Sequence, residues 1–266
     1  MISYDRPGKP SNFESSCATA VAAVQALINP ATGQALAGFA SGQFKNMWRQ
    51  HKDVFNTAQY NKCAYCERVH TDDGDVEHVL PKAEVAVLDT SKQGDELPTL
   101  KVKGRKEHSK VTPGYWWEAY NWNNYCFACT HCNRRWKKNF LVVNSPHTTQ
   151  DIPMERRTEE ILFIHPYDID PEDHLSVDEW GFINGLTALG KATIETLGLW
   201  RPSLVQYRCD AYAHAKDAAE LFLIGGRELN ALHFHMRPNS QQTLARRWAI
   251  RHVLGQASYL ELKAQI

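Results

Sequence analysis

The chain has 266 residues, 43% of them hydrophobic and 23% charged, with 30 Lys and Arg balanced by 30 Asp and Glu. A chain of this length can bury a core and its composition is that of an ordinary globular protein; the even charge balance excludes the bulk basic character that marks many nucleic-acid binders. Neither a charged-then-apolar leader nor an apolar run long enough to span a bilayer occurs, so secretion and membrane spanning are not expected.

Charge is unevenly spread: Val143 to Gly190 holds ten acids against two bases, and Lys191 to Ile266 ten bases against six acids. Most of it reads as solvated surface. The cysteines number seven, grouped largely as Cys-x2-Cys pairs. That grouping suits metal thiolates better than a disulfide framework, and it points to a reducing, cytoplasmic setting.

In chain order, residues 1–11 carry Pro and Gly and are expected to be extended. Asn12 to Leu27 is Ala-rich and should be a helix capped by Asn12 or a nearby Ser, ending before Asn29-Pro30. A second helix is expected around Gly42 to Phe55, with Phe44, Trp48 and Phe55 as its apolar residues. Residues 1–60 thus form a helical N-terminal extension. Residues 61–142 carry the motifs, with short strands beside Cys63 and Cys66 and again near Val76–Leu80. A polar insertion at 82–114, punctuated by Gly94, Pro98, Gly104 and Pro113, reads as a long loop whose run Lys101-Val-Lys103-Gly-Arg105-Lys106 is solvated. The aromatics Tyr115, Trp116, Trp117, Tyr120 and Trp122 are core candidates. Asn133 to Phe140 should be a short helix bearing Arg134, Arg135, Lys137 and Lys138. Residues 143–187 form an acidic, Pro-containing segment expected to pack on the core. Residues 188–266 are mostly helix, at about Ala188–Leu197, Pro202–Leu223 and Gln241–Leu254.

Two Cys-x2-Cys pairs, Cys63/Cys66 and Cys129/Cys132, can close one tetrahedral zinc site. The 62 residues between Cys66 and Cys129 exceed the spacing of a simple zinc ribbon, and the insertion accounts for much of the excess. Cys126 leaves a second choice of knuckle, Cys126-x2-Cys129, although its neighbours Tyr125, Phe127 and Ala128 suit a small buried hydrophobe. Between the pairs stand Glu77-His78, and Asn133 follows the last Cys. Phosphodiester cleavage needs a base for water and a cation for the phosphate. His78 can serve as base near neutral pH, while Glu77 and Asn133 offer oxygens that suit magnesium or manganese. On a straight strand Glu77 and His78 would face opposite ways, so a bend is needed to bring both to one site.

Cys63-Ala-Tyr-Cys66, then Glu77-His78-Val-Leu-Pro81, then Asn124-x4-Cys129-x2-Cys132-Asn133, resembles the HNH or ββα-metal endonuclease family. The resemblance implies an α+β protein whose ββα-metal core is stapled by a structural zinc on four cysteines, with mostly helical extensions. It makes His78 the general base, Glu77 and Asn133 the ligands of a catalytic magnesium or manganese, and Asn124 the residue that braces the loop and orients His78. It also selects Cys129/Cys132 as the knuckle. Asn at the last position, in place of His, occurs in active members. Arg134, Arg135, Lys137 and Lys138 would then contact phosphates. A looser similarity over about Lys62 to Arg208 (Trp122-Asn-Asn-Tyr, Glu160-Ile-Leu-Phe-Ile-His165-Pro166, Asp168-Ile-Asp170-Pro171 and Thr193-Ile-Glu195-Thr-Leu-Gly198) is to HNH proteins of Septu-type and retron-associated anti-phage systems. It implies an ABC/SMC-like ATPase partner and a defence role; the substrate expected of the site is nucleic acid, DNA ahead of RNA. Two other readings stay open on residues alone: a non-catalytic zinc module that binds nucleic acid or a partner, and an HNH enzyme that cuts RNA.

Overall fold

The computed structural model describes residues 1–69, 73–88, 107–143, 161–226 and 228–266. The run Lys101–Lys106, the breakers Gly94, Pro98 and Gly104, and Glu160 lie outside the described residues. The protein is mixed α+β and divides into two compact units: Met1–Asp5 with Gln59–Asp72 and Ile164–Ile266, and Arg6–Ala58 with Asp73–Phe163. Among the described residues no helix is long and apolar enough to cross a membrane.

In the second of these units, helix α1 (Phe13–Gln25) buries Phe13, Cys17, Ala20 and Val24, a spacing that keeps one face inward. The Asn12 side chain makes no capping bond; its carbonyl accepts from Ser16 N instead. The single helix expected over Gly42–Phe55 is broken into short 3-10 turns at Ser41–Gln43 and Arg49–His51, followed by α2 (Lys52–Ala58). Asn46 Oδ1 accepts from Arg49 N at 3.3 Å, an alternative to helical pairing that a short amide side chain offers its own backbone. Phe13, Phe55, Trp122 and Tyr125 meet in edge and tilted contacts of 4.6–6.3 Å and form the aromatic core.

Strand β1 (Asp75–His78) is followed by β2 (Val85–Leu88), β3 (Glu107–Val111), β4 (Tyr125–Ala128) and β5 (Phe140–Leu141). β1 pairs antiparallel with β4, setting Glu77 opposite Cys126 and His78 opposite Tyr125. β2 pairs antiparallel with β3 and parallel with β5. The insertion expected as a loop therefore supplies strands at both ends: Val85–Leu88 is wholly apolar and wholly buried, a pattern that reads as a strand once a partner is present. After β4 the chain turns into a π-helical segment, His131–Lys137.

In the other unit, Lys62 bridges Val69 across the turn that holds Cys63 and Cys66, so the strands expected beside these cysteines reduce to one isolated bridge. A hairpin of β6 (Leu175–Val177) and β7 (Ile183–Gly185) precedes helices α3 (Ala188–Leu197), α4 (Pro202–Leu223), α5 (Leu229–Met236), α6 (Thr243–Leu254) and α7 (Gln256–Lys263). The pieces from early in the chain are sewn in by long-range bonds. Lys62 Nζ donates to Ser240 O at 2.8 Å, Gln242 Nε2 to Cys66 O at 2.9 Å, and Tyr4 N to Pro166 O at 3.0 Å.

Candidate active site

β1 ends at His78; Val79 N still donates to Asn124 O at 2.9 Å, in line with the β1–β4 pairing, and the chain bends at Val79 and Leu80. Glu77 and His78, adjacent in regular strand register, both line one cavity of about 730 Å³, which Asn133 also lines. All of this cavity's lining comes from the unit built of Arg6–Ala58 and Asp73–Phe163.

His78 is 7% exposed and packs edge-on against Trp48 at 4.4 Å and Tyr125 at 5.1 Å. Its Nε2 lies 3.0 Å from the Ala119 carbonyl oxygen. A carbonyl only accepts, so in the neutral ring Nε2 carries the proton and the basic lone pair belongs to Nδ1. Tyr125 donates to the same carbonyl at 2.6 Å. Burial first, then the cations Lys82 and Lys137, holds the imidazole well below its usual pKa, against the pull of the Ala119 bond. The ring is therefore kept as the free base.

Glu77 is buried opposite Cys126. Burial pushes its carboxyl upward, opposed by Lys137 and Lys82. Lys137 Nζ lies 2.7 Å from Glu77 Oε1 and donates to His78 O at 2.9 Å. The Oε1 contact is a charge pair rather than a well-directed hydrogen bond, which leaves that oxygen with acceptor capacity. Lys137 has no exposed surface. This corrects its expected place beside Arg134, Arg135 and Lys138: three residues beyond the exposed Arg134, it turns inward because the π-helical segment rests on β1 at Glu77. The other three remain exposed, Arg134 in an ion pair with Asp75, and Arg134 and Lys138 line the cavity.

Asn124 is fully buried, and all three of its side-chain bonds go to backbone. Oδ1 accepts from Leu80 N at 2.7 Å; Nδ2 donates to Leu80 O at 3.1 Å and Glu118 O at 3.0 Å. It clamps the turn after His78 to the turn that carries the Ala119 carbonyl. Asn124→Ala strands a buried backbone donor and two acceptors. It is expected to cost about 2–3 kcal/mol in chemical denaturation, and a variant as stable as the parent would refute the clamp.

The Sγ atoms of Cys63, Cys66, Cys129 and Cys132, all buried, lie within 4.8 Å of one another. Four thiolates bonded to zinc at about 2.3 Å span tetrahedral edges of about 3.8 Å, so small adjustments suffice to hold the ion. Cys132 N donates to Cys129 Sγ at 3.4 Å, an arrangement that suits a thiolate. Cys126 is buried in β4 and stands outside the group, so the knuckle that joins Cys63 and Cys66 is Cys129/Cys132.

Sequence reasoning missed Trp48, Lys82, Ala119 and Tyr125 as parts of the site. Lys82 could have been found because it directly follows Pro81. Trp48 could not, since nothing local ties residue 48 to residue 78.

No protein-family model matches the chain, and no solved structure does. Curated proteins do. The chain is 30% identical over 170 residues to the Septu protein PtuB of Bacillus mycoides strain KBAB4, covering 62% of this chain and 50% of that one. It is 25% identical over 174 residues to the HNH endonuclease assigned to retron Vc95 of Vibrio cholerae serotype O1 biovar El Tor, covering 62% and 65%. It is also 28% identical over 108 residues to the Septu protein PtuA of the same Bacillus, covering 41% and 15%. The chain thus matches no more than about two thirds of the length of these relatives. It resembles HNH-type nuclease components of Septu and retron defence systems.

Proposed function

We propose that the protein is a metal-dependent HNH endonuclease that hydrolyses phosphodiester bonds of DNA, as the nuclease of an anti-phage system acting with an ABC/SMC-like ATPase subunit. The observation that carries the reading is the shared cavity of Glu77, His78 and Asn133, with the His78 tautomer set by the Ala119 carbonyl. In this reading β1, β4 and the His131–Lys137 segment are the ββα-metal unit, and the four cysteines hold a structural zinc. The similarity to PtuB, PtuA and the retron HNH protein supports the defence role and the partner.

Oxygen donors in a cavity favour a hard cation, and Glu77 Oε1 retains acceptor capacity there. Magnesium or manganese held by Glu77 and Asn133 would supply charge neutralisation at the scissile phosphate and its leaving oxygen. His78 Nδ1 takes the proton of the attacking water, while the Ala119 carbonyl fixes the ring. Arg134, Arg135 and Lys138 hold flanking phosphates, contacts that position the strand without reading its sequence.

The test is nicking of supercoiled plasmid by the purified chain, alone and with its ATPase subunit, in magnesium or manganese against EDTA. A matched RNA is assayed in parallel. Cutting of DNA that requires the added metal is expected. Cutting of RNA alone would overturn the substrate, and no cutting under any condition would overturn the enzyme.

A further inference from the structure

The cavity holds a cation that none of the roles above uses. Lys82 is half-buried in its wall, with its ammonium 4.5 Å from the Trp48 ring centroid and 5.8 Å from that of Phe44. Among the described residues it forms no ion pair, whereas Lys137 is paired with Glu77 and Arg134 with Asp75. The three carboxylates that line the cavity, Asp75, Glu77 and Glu84, thus each have a counter-charge in Arg134, Lys137 and Lys110, and Lys82 is a further positive charge in a partly desolvated space. An unmatched cation there is an attractor for an anion.

Its backbone is also unusually well held. Tyr115 N donates to Pro81 O and Gly114 N to Ala83 O, both at 2.9 Å, which pins the residue on each side of Lys82. The approach is so close that a Cβ at Gly114 would stand 2.5 Å from Pro81 O. The indole of Trp48, itself against His78, then fixes the far end of the side chain through its π face. A flexible surface lysine has neither restraint. Burial brings the Lys82 pKa down to about 8, Glu77 opposing and Lys137 adding to the shift, so near neutral pH most of the population keeps its charge.

We propose that Lys82 is a substrate-contacting residue, its ammonium binding a non-bridging oxygen of the phosphodiester presented to His78. This rests on the nuclease reading. The chemistry favours a phosphate oxygen because an ammonium is a compact point charge with freely rotating donors, suited to one tetrahedral oxyanion.

The experiment compares Lys82→Ala and Lys82→Arg in two settings. Cleavage kinetics are measured in the otherwise native chain, with its ATPase subunit if cutting requires it. Binding of a labelled DNA duplex is measured in magnesium across a salt series, in a His78→Ala background that cannot cut. Lys82→Ala is expected to lower kcat/KM by about 10- to 100-fold and to reduce the salt slope by about one phosphate contact. Lys82→Arg should recover most of both, with zinc content and Tm unchanged in each. Lys82→Ala with parental kcat/KM and slope, in a parent that cuts, would overturn this inference alone. A parent that neither binds nor cuts would overturn the nuclease reading and this inference with it.

Discussion

His78→Ala is expected to slow metal-dependent cleavage by about two to four orders of magnitude, the range attributable to a positioned general base. The side chain is buried between Trp48 and Tyr125, so truncation also opens a void, and a loss of activity alone would not separate packing from proton transfer. His78→Gln separates them. Its amide fills more of the space and can still donate to the Ala119 carbonyl, yet it cannot take a proton near neutral pH. Both variants should lose cleavage equally and keep their zinc, with only His78→Ala losing about 1–3 kcal/mol of stability. Rates near the parent's in either variant would remove His78 from the mechanism.

Cys129→Ser is expected to have the larger effect on the fold. Structural zinc sites contribute about 10–16 kcal/mol of apparent binding energy in small domains, as much as the whole stability of an ordinary domain at about 5–15 kcal/mol. Losing one of four ligands should empty the site and melt the structure around it, so zinc content by mass spectrometry and the thermal transition should fall together. Cys126→Ala is the control: its Sγ stands outside the four-sulfur group and packs as a small apolar side chain in β4. It should keep the metal and lose only a modest amount of stability. A metal-free Cys129→Ser protein with the parent's Tm would show that the four thiols need no ion.

Where the sequence could be read, the signal was local. Pro202 at the first turn of α4, Thr187 capping α3 and Gly198 closing it in the left-handed conformation mark helix ends that the structure reproduces. The grouping of four cysteines was legible because Cys-x2-Cys is a short-range spacing that a metal imposes. What stayed hidden depended on distant partners. Val85–Leu88 acquires its strand character only from β3 and β5. The inward turn of Lys137 depends on the Glu77 carboxylate, far back in the chain, and a helical wheel would have left it among its basic neighbours. Helix propensity misjudged residues 42–55, where Asn46 competes for the backbone and the resulting break carries Trp48 into the cavity wall. α5 and α7 are short, with little amphipathic contrast to announce them.

The interleaved assembly of the two units has a consequence for the order in which a ribosome delivers them. Every residue of the unit containing the cavity has emerged by Phe163, whereas the other unit needs segments from Met1–Asp5 and Gln59–Asp72 to meet Ile164–Ile266. At about 5–20 residues per second, translation of that last stretch takes roughly 5–20 s. Through that interval Lys62 waits for Ser240 and the Cys66 carbonyl for Gln242. The turn bearing Cys63 and Cys66 is thus among the oldest parts of the nascent chain and among the last to acquire its supports. Premature termination within α5 would release a polypeptide with its cavity residues complete and this thiol turn still lacking Ser240 and Gln242.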